Sequence, residues 1–226
     1  MENAIQQQIE ILKGYCLKKR FDRLEIAAKN RTLHFAVALE DVYDPHNASA
    51  VLRSAEAFGL YKIFVMENRH TFAAKEGVSM GADKWLSIQR FCKKSSEVLQ
   101  NTKLGFKAIK QDGYRIAAAT PHTNTPLQEL DFSIPTVFLF GSEKDGLSQW
   151  AMDHADVLFR IPMRGLVESL NLSVSAAVTL FYAMEKAKEQ KVLSAVDEKT
   201  YHHILLDYLK KSVKASEKIL QDFGVG

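Results

Sequence analysis

Five polar residues, in three separate stretches of the sequence, have side chains that could perform chemistry. They are Asn47, Arg53, Glu143, Ser169 and Asn171. Amides, carboxylates and hydroxyls can position a reacting hydroxyl group, and a guanidinium can stabilise an oxyanion as it develops. Arg53 is the least ordinary of them, because a cation in an otherwise apolar helix usually has an anionic partner. Each of the others also suits a plain structural role, as a helix cap or a turn residue.

These stretches follow strands of a predicted α/β fold. Apolar runs of strand length occupy 34–39, 61–66, 114–120, 135–140 and 157–161. Helical segments alternate with them, at 48–58, 95–110, 147–155 and 172–188. This alternation predicts a parallel sheet covered by helices on both faces. Ligands bind such sheets at the carboxyl ends of the strands, and the loops 41–47, 141–146 and 162–171 leave those ends.

Both ends of the chain are predicted to be basic helices. Three- and four-residue spacing of apolar residues predicts a helix over 3–30, and another over 197–223. The sequence therefore divides into a basic helical extension, 1–32, a catalytic domain, 33–190, and a second basic helical extension, 191–226. Spread-out cations suit phosphate contacts, although a basic helix can also be a solvated face. The candidate RNA-binding residues are Lys18, Lys19, Arg20, Arg23, Lys210, Lys211 and Lys214.

Composition excludes several classes of protein. The 226 residues carry a net charge of +3, and no apolar run approaches the roughly 20 residues of a membrane span. No signal peptide is evident. Cys16 and Cys92 stand alone, without metal-ligand spacing, so we expect reduced thiols, no metal and a cytoplasmic protein with no membrane association. The glycines of 141–146 fit neither a dinucleotide-binding fingerprint nor a P-loop, which argues against a dehydrogenase or an NTPase.

The three polar stretches, in their order and spacing, resemble the motifs of the SpoU-type RNA methyltransferases of the SPOUT superfamily. The first is Asn47-x5-Arg53, the second Phe140-Gly-Ser-Glu-Lys-Asp-Gly-Leu-Ser148, and the third the segment IPMRGLVESLNLSVSAA at 161–177. The resemblance covers about residues 33–188. Within the family, GADKW at 81–85 and the segment 201–210 are similar to the tRNA guanosine-18 2′-O-methyltransferases.

The resemblance implies a fold, a cofactor and a set of roles. The C-terminal part of the domain would form a trefoil knot, and S-adenosyl-L-methionine would bind among the knot loops. It implies methylation of the 2′-hydroxyl of guanosine 18 in the tRNA D-loop. Arg53 would activate the hydroxyl, and Asn47, Glu143, Ser169 and Asn171 would position it and the RNA. The implied cofactor-binding residues are Thr120, Gly141, Ile161 and Leu170.

Several alternatives stay open. A guanidinium is a poor base, so Arg53 would either lose its proton transiently or stay charged and stabilise the alkoxide; His46 is an alternative base that could also contact RNA. Arg164 would reach RNA phosphate or pair with Glu168. Ribosomal RNA, another tRNA position, or a non-catalytic RNA-binding role are the competing functions. The short segment before the first strand favours tRNA.

The resemblance also implies a homodimer, and the last helix of the domain supports it. Residues 172–184 are apolar around more than one face of a helix. One face can pack on the sheet, and the remainder needs another partner.

Overall fold

The computed structural model describes residues 2–73, 79–94, 96–193 and 195–225. The chain forms two compact units. One is Leu33–Leu193, and the other combines the two chain ends, Met1–Thr32 and Ser194–Gly226.

The described part of Leu33–Leu193 is built on a six-stranded sheet in which all neighbouring strands are parallel. The strands are β1 (Phe35–Glu40), β2 (Lys62–Met66), β3 (Ser87–Phe91), β4 (Arg115–Ala119), β5 (Thr136–Phe140) and β6 (Val157–Phe159). Their order across the sheet is β3-β2-β1-β5-β4-β6. The predicted parallel sheet is therefore confirmed. β3 was absent from the sequence-based prediction because SIQRF, on an edge strand, is not an apolar run.

Helices cover both faces of this sheet, as predicted. They are α3 (Pro45–Ala57), α4 (Gln100–Gln111), α5 (Gln149–His154) and α6 (Leu172–Glu189), with short 3-10 helices at Ala82–Trp85 and Leu127–Glu129. Alternate residues of β1 enter two separate cores. Val37 and Leu39 pack with the residues of α3 and α6, whereas Ala36 and Ala38 pack with those of α4 and α5. Period-two alternation in a strand buried on both faces produces this division.

The starts of α4 and α5 differ from the prediction. The helix predicted from residue 95 begins at Gln100, and residue 95 itself lies outside the described residues. The helix predicted over 147–155 begins after Ser148, whose hydroxyl oxygen accepts a hydrogen bond from the amide of Ala151. Ser148 is therefore an N-cap, and its sequence signal is the preference of serine for that position.

The terminal unit consists of α1 (Glu2–Gly14), α2 (Lys18–Lys29), α7 (Glu198–Ser212) and α8 (Ser216–Asp222). The single helices predicted over 3–30 and 197–223 were wrong, because each is divided in two. Leu17 has an extended ψ of 135° between α1 and α2, and Ala215 has a left-handed φ of 57° between α7 and α8. Apolar spacing continues across both breaks, so periodicity alone could not locate them.

Arg31 is buried in the terminal unit, where its Nε donates to the hydroxyl of Tyr208 over 2.6 Å.

Among the described residues, no helix has both the length and the apolar character needed to cross a membrane.

Candidate active site

The carboxyl edge of the sheet brings the first two polar stretches to neighbouring strands. Leu39 of β1 is in register with Phe140 of β5, and Glu40 is in register with Met66 of β2. The chain segments that begin at Asp41, Glu67 and Gly141 therefore leave neighbouring strands at the same level. Parallel strands place such segments side by side, although they are distant in the sequence.

Asn47 lies inside α3 rather than in the preceding loop. The helix begins at Pro45, and the N-cap is Asp44, whose carboxylate accepts from the amide of His46 over 2.9 Å. The prediction that the helix starts at Ala48 was wrong, and the alternative role of Asn47 as the helix cap is contradicted. Proline suits the first helical position because its missing amide hydrogen would have no partner there. With capping performed by Asp44, the carboxamide of Asn47 is available to the other loops.

A chain of hydrogen bonds joins the three motifs. Asn171 Nδ2 donates to Asn47 Oδ1 over 3.0 Å, and Asn47 Nδ2 donates to Glu143 Oε1 over 2.9 Å. The backbone amide of Tyr43 donates to the other carboxylate oxygen of Glu143 over 3.3 Å. Asn171 is also the N-cap of α6, since its Oδ1 accepts from the amide of Ser173 over 2.8 Å. The amide group of each asparagine is thus fixed in orientation by its partners.

The loop that carries Glu143 is closed by its glycines. Ser142 and Gly146 exchange backbone hydrogen bonds of 3.0 Å, and Gly146 has a φ of +68°. A Cβ on Gly141 would stand 2.2 Å from the carbonyl carbon of Gly146 and 2.3 Å from the nitrogen of Leu147. Only glycine allows the backbone to approach itself so closely. The loop therefore presents Glu143 at its exposed tip.

A cavity of about 830 Å³ lies beside this loop. All four residues implied as cofactor-binding line it: Thr120, Gly141, Ile161 and Leu170. Glu143, Ser169 and Asn171 line it as well. Its volume is within the range of about 300–1,000 Å³ that small-molecule sites occupy.

Arg53 is not brought to this group of side chains. Because Asn47 and Arg53 both belong to α3, they are separated by about 9 Å along the helix axis and by about 120° around it. Arg53 is exposed and does not line the cavity, and its side chain has no hydrogen bond or ion pair with any residue that the structure describes. The anionic partner expected for such a cation is therefore not found among the described residues.

The remaining polar candidates near the cavity are exposed. His46 lies in the first turn of α3 and is not among the described residues that line the cavity. Arg164 lies in the loop before α6 and forms no ion pair with Glu168. No group of three or more metal-ligating side chains occurs in the described part of the chain.

Sequence reasoning assigned no role to two carboxylates, Glu40 and Asp41, that hold neighbouring segments at the carboxyl edge of the sheet. Glu40, only 2% exposed, accepts hydrogen bonds from the hydroxyls of Thr102 and Ser148 and from the amide of Ser148, over 2.6–2.8 Å. Asp41 accepts from the amides of Asn68 and Arg69 over 2.6 and 2.8 Å. The available signal was the acidic pair that ends an apolar strand.

The candidate RNA-binding cations all lie on the terminal unit. Lys19, Arg23 and Lys214 are exposed. Lys18 pairs with Asp22, Lys210 with Glu217 and Lys211 with Asp207 at distances of 2.6–3.3 Å. These are surface pairs, which contribute little to stability and compete weakly with phosphate.

The protein has an α/β fold, with a parallel sheet covered by helices on both faces. A large cavity and hydrogen-bonded amide and carboxylate groups lie at the carboxyl ends of its strands. Such a site suits a small ligand together with a polar group of a substrate. Residues 34–181 match the model of the SpoU rRNA Methylase family, and the chain belongs to that family. The motif resemblance noted in the sequence is thereby confirmed.

Known proteins of this kind are similar over most of the chain. A tRNA (guanosine(18)-2′-O)-methyltransferase from Thermus thermophilus is 32% identical over 192 residues, 84% of this chain and 95% of the relative. The crystal structure of a TrmH/SpoU tRNA modifying enzyme from A. aeolicus has a TM-score of 0.75 and 26% identity, covering 87% of this chain and 98% of the other. An AdoMet-bound rRNA methyltransferase from Sinorhizobium meliloti has a TM-score of 0.56 and 25% identity, covering 70% of this chain and 58% of the other.

Proposed function

We propose that this protein is an S-adenosylmethionine-dependent RNA methyltransferase that modifies the ribose 2′-hydroxyl of guanosine 18 in the D-loop of tRNA. The observation that carries the proposal is the hydrogen-bonded group Asn47, Glu143 and Asn171 beside the large cavity. The Thermus thermophilus relative named for this activity supports the choice of substrate.

The cavity fits the proposed cofactor. Ile161 and Leu170 offer apolar contact for an adenosine, and Thr120 and Gly141 can offer backbone groups. When bound, S-adenosylmethionine supplies a methyl group on a positively charged sulfur. The structure of the Sinorhizobium meliloti relative is described as AdoMet-bound, which supports this assignment.

The residues of this chain would align the ribose hydroxyl and manage its charge. With the cofactor bound, the 2′-oxygen would bond to the methyl carbon as the carbon–sulfur bond breaks, S-adenosylhomocysteine would leave, and the hydroxyl proton would pass to a nearby base or to solvent. Glu143 is an exposed carboxylate that can accept the hydrogen bond of the hydroxyl, and Asn47 and Asn171 fix its position. Ser169, also at the cavity, would assist in positioning.

Arg53 has a different part in the proposal. Its side chain is a cation that is exposed and has no partner among the described residues. It is therefore available to an RNA phosphate, and it would reach the developing alkoxide only if the bound RNA brought the two together. In one alternative, Arg53 loses its own proton transiently and activates the hydroxyl. In another, His46 accepts the proton of the hydroxyl.

We also propose that the protein is a homodimer and that it works in the cytoplasm. Three apolar side chains on α6 stay exposed: Val174 (46%), Val178 (39%) and Phe181 (57%). A second copy could cover them. Light scattering at micromolar protein concentration should give twice the mass of the chain, and a monomer would contradict the proposal. A trefoil knot in the C-terminal part of Leu33–Leu193 is likewise proposed, on the resemblance of the motifs.

Mass-spectrometric mapping of modified nucleosides tests the function. An unmodified tRNA transcript, incubated with the protein and S-adenosylmethionine, should gain 2′-O-methylguanosine at position 18 only. Ribosomal RNA fragments are incubated in parallel. Methylation at another tRNA position, or only in the ribosomal RNA fragments, would show that the proposed reaction is right and the proposed substrate is wrong. Absence of methylation from both the tRNA and the ribosomal RNA fragments, with binding retained, would favour a non-catalytic RNA-binding protein.

A further inference from the structure

An exposed aromatic side chain stands next to the candidate active site. Tyr43 is 71% exposed and lies between β1 and α3. Its backbone amide donates to the carboxylate of Glu143 over 3.3 Å. Tyr43 is therefore hydrogen-bonded directly to the group formed by Asn47, Glu143 and Asn171. Two aromatic side chains among the described residues of 33–193 are more than half exposed, Tyr43 and Phe181.

The ring of Tyr43 is held in place although it is open to solvent. It makes an edge-to-face contact with His70, with ring centroids 5.0 Å apart and an interplanar angle of 68°. His70 follows Arg69, whose amide is held by Asp41 over 2.8 Å. A single exposed aromatic side chain needs no explanation in general. Here both its backbone and its ring are fixed, which limits the entropy lost when a ligand stacks on it.

We propose that Tyr43, supported by His70, is a stacking platform for the base of the nucleotide that is methylated. The inference rests on the proposed function. A base is bonded to the ribose carbon next to the one that bears the 2′-hydroxyl. A hydroxyl placed at Glu143 therefore brings its own base to within a side chain's length of Tyr43. Aromatic side chains are the usual partners of unstacked RNA bases.

The charges around the ring suit a base rather than a phosphate. Arg69 is paired with Asp145 over 3.2 Å, and the carboxylate of Glu143 is adjacent to Tyr43, so neither group offers a phosphate an unpaired cation. Phosphate contacts are expected at Arg53 and on the terminal helices instead. Stacking also tolerates any base, so Tyr43 would contribute affinity and position without choosing guanine.

Substitution of Tyr43 tests the platform, with Tyr43→Phe as the matched control that keeps the ring. Tyr43→Leu should lower kcat/KM for tRNA roughly 10- to 100-fold, the usual effect of losing one stacked base. Tyr43→Phe should stay within about twofold of the unmodified protein. Both variants should bind S-adenosylmethionine as the unmodified protein does, because Tyr43 does not line the cavity.

A fluorescent base supplies a second measurement, which reports on the position of the base and does not depend on catalysis. A tRNA with 2-aminopurine at the proposed target position should lose emission when it binds the unmodified protein, and 2-aminopurine at the third nucleotide downstream should not. Tyr43→Leu should restore the emission. Equal quenching at both positions, or an unchanged kcat/KM in Tyr43→Leu, would overturn the platform. Failure of the unmodified protein to methylate tRNA would instead overturn the proposed function.

Discussion

The carboxamide of Asn171 donates to the carboxamide of Asn47 over 3.0 Å, although 124 residues separate the two in the chain. One of these asparagines belongs to the first turn of α3 and the other caps α6. Asn47 then passes a hydrogen bond to Glu143. Two helices and a loop are thereby coupled at one point, so a change in any member alters the orientation of the others.

Asn47→Asp should damage the enzyme more than Asn47→Ala. The aspartate would put a second carboxylate where Asn47 Nδ2 now donates to Glu143 over 2.9 Å, and like charges at this distance repel. Alanine removes the donor without adding charge. We expect kcat to fall about 10-fold for alanine and about 100-fold for aspartate, with the cofactor dissociation constant within threefold of the unmodified protein for both.

A pH series distinguishes repulsion from a simple loss of the hydrogen bond. The carboxylate pair binds a shared proton more readily than either group alone, so the activity of Asn47→Asp relative to Asn47→Ala should rise as the pH falls from 8 to 6. An aspartate variant that is as active as the alanine variant at every pH would contradict the coupling of Asn47 to Glu143.

Arg53→Ala should nearly abolish methyl transfer and leave cofactor affinity intact. The side chain does not line the cavity, so its removal takes nothing from the bound cofactor. Rates from single-turnover assays should fall more than 10-fold, a loss of more than about 1.4 kcal/mol of transition-state stabilisation. Arg53→Lys keeps the charge and is the matched control. If alanine retains more than a tenth of the unmodified rate, the role given to Arg53 is wrong.

The start of α3 marks the limit of what sequence could predict at this site. The strand before it and the polar residues after it were recognised from apolar runs and spacing. The sequence Asp-Pro-His-Asn offers two capping residues, Asp44 and Asn47, and only the structure selects Asp44. Because Asp44 is the cap, the side chain of Asn47 can donate to Glu143. Asn47 and Arg53 then both lie within α3, and their side chains are far apart.

Other features depend on contacts that local sequence does not encode. Glu40 is recognisable as the end of a strand, but its partners Thr102 and Ser148 lie 62 and 108 residues away. The edge strand β3 has no apolar run, because its side chains are largely exposed. The four residues around the cavity were named through family resemblance, and spacing alone would not have found them.

Gly141→Ala should weaken cofactor binding by more than 10-fold. The added methyl group would stand 2.2–2.3 Å from backbone atoms of Gly146 and Leu147, which cannot rotate away as a side chain can. The loop would have to open, and Gly141 itself lines the cavity. Isothermal titration calorimetry with S-adenosylmethionine measures the change.

Gly165→Ala is the matched control, since nothing lies within 4 Å of a Cβ at that position and its φ is not left-handed. It should bind the cofactor with unmodified affinity. Normal binding by Gly141→Ala would mean that the close approach in the 141–146 loop is not needed for the site.

Glu40→Ala should destabilise the fold by about 3 kcal/mol. The variant leaves the amide of Ser148 and two hydroxyls without their acceptor at a buried position, and each unsatisfied buried donor costs about 1–3 kcal/mol. Thr102→Ala removes only one of the three donors and should cost about 1 kcal/mol. Urea unfolding measures both values, and equal losses in the two variants would show that Glu40 does not organise the edge.

A variant with serine at four cationic positions of α2 should bind tRNA more weakly, and its affinity should depend less on salt concentration. The positions are Lys18, Lys19, Arg20 and Arg23. These residues begin α2, and Lys18 already has an exposed ion pair with Asp22, which phosphate can displace at little cost. If about four phosphate contacts disappear, the slope of log K against log salt concentration should become shallower by roughly three units. The KM for tRNA should rise, and cofactor affinity should not change.

A variant with serine at Lys62, Lys103, Lys107 and Lys110 removes the same charge from Leu33–Leu193 and is the control for net charge. It should keep the unmodified salt slope, because counterion release depends on which cations meet phosphate rather than on the total charge. Filter binding between 50 and 200 mM salt measures all three proteins. An unmodified slope in the α2 variant would mean that α2 is a solvated surface, and the same reduced slope in both variants would mean that the effect comes from net charge alone.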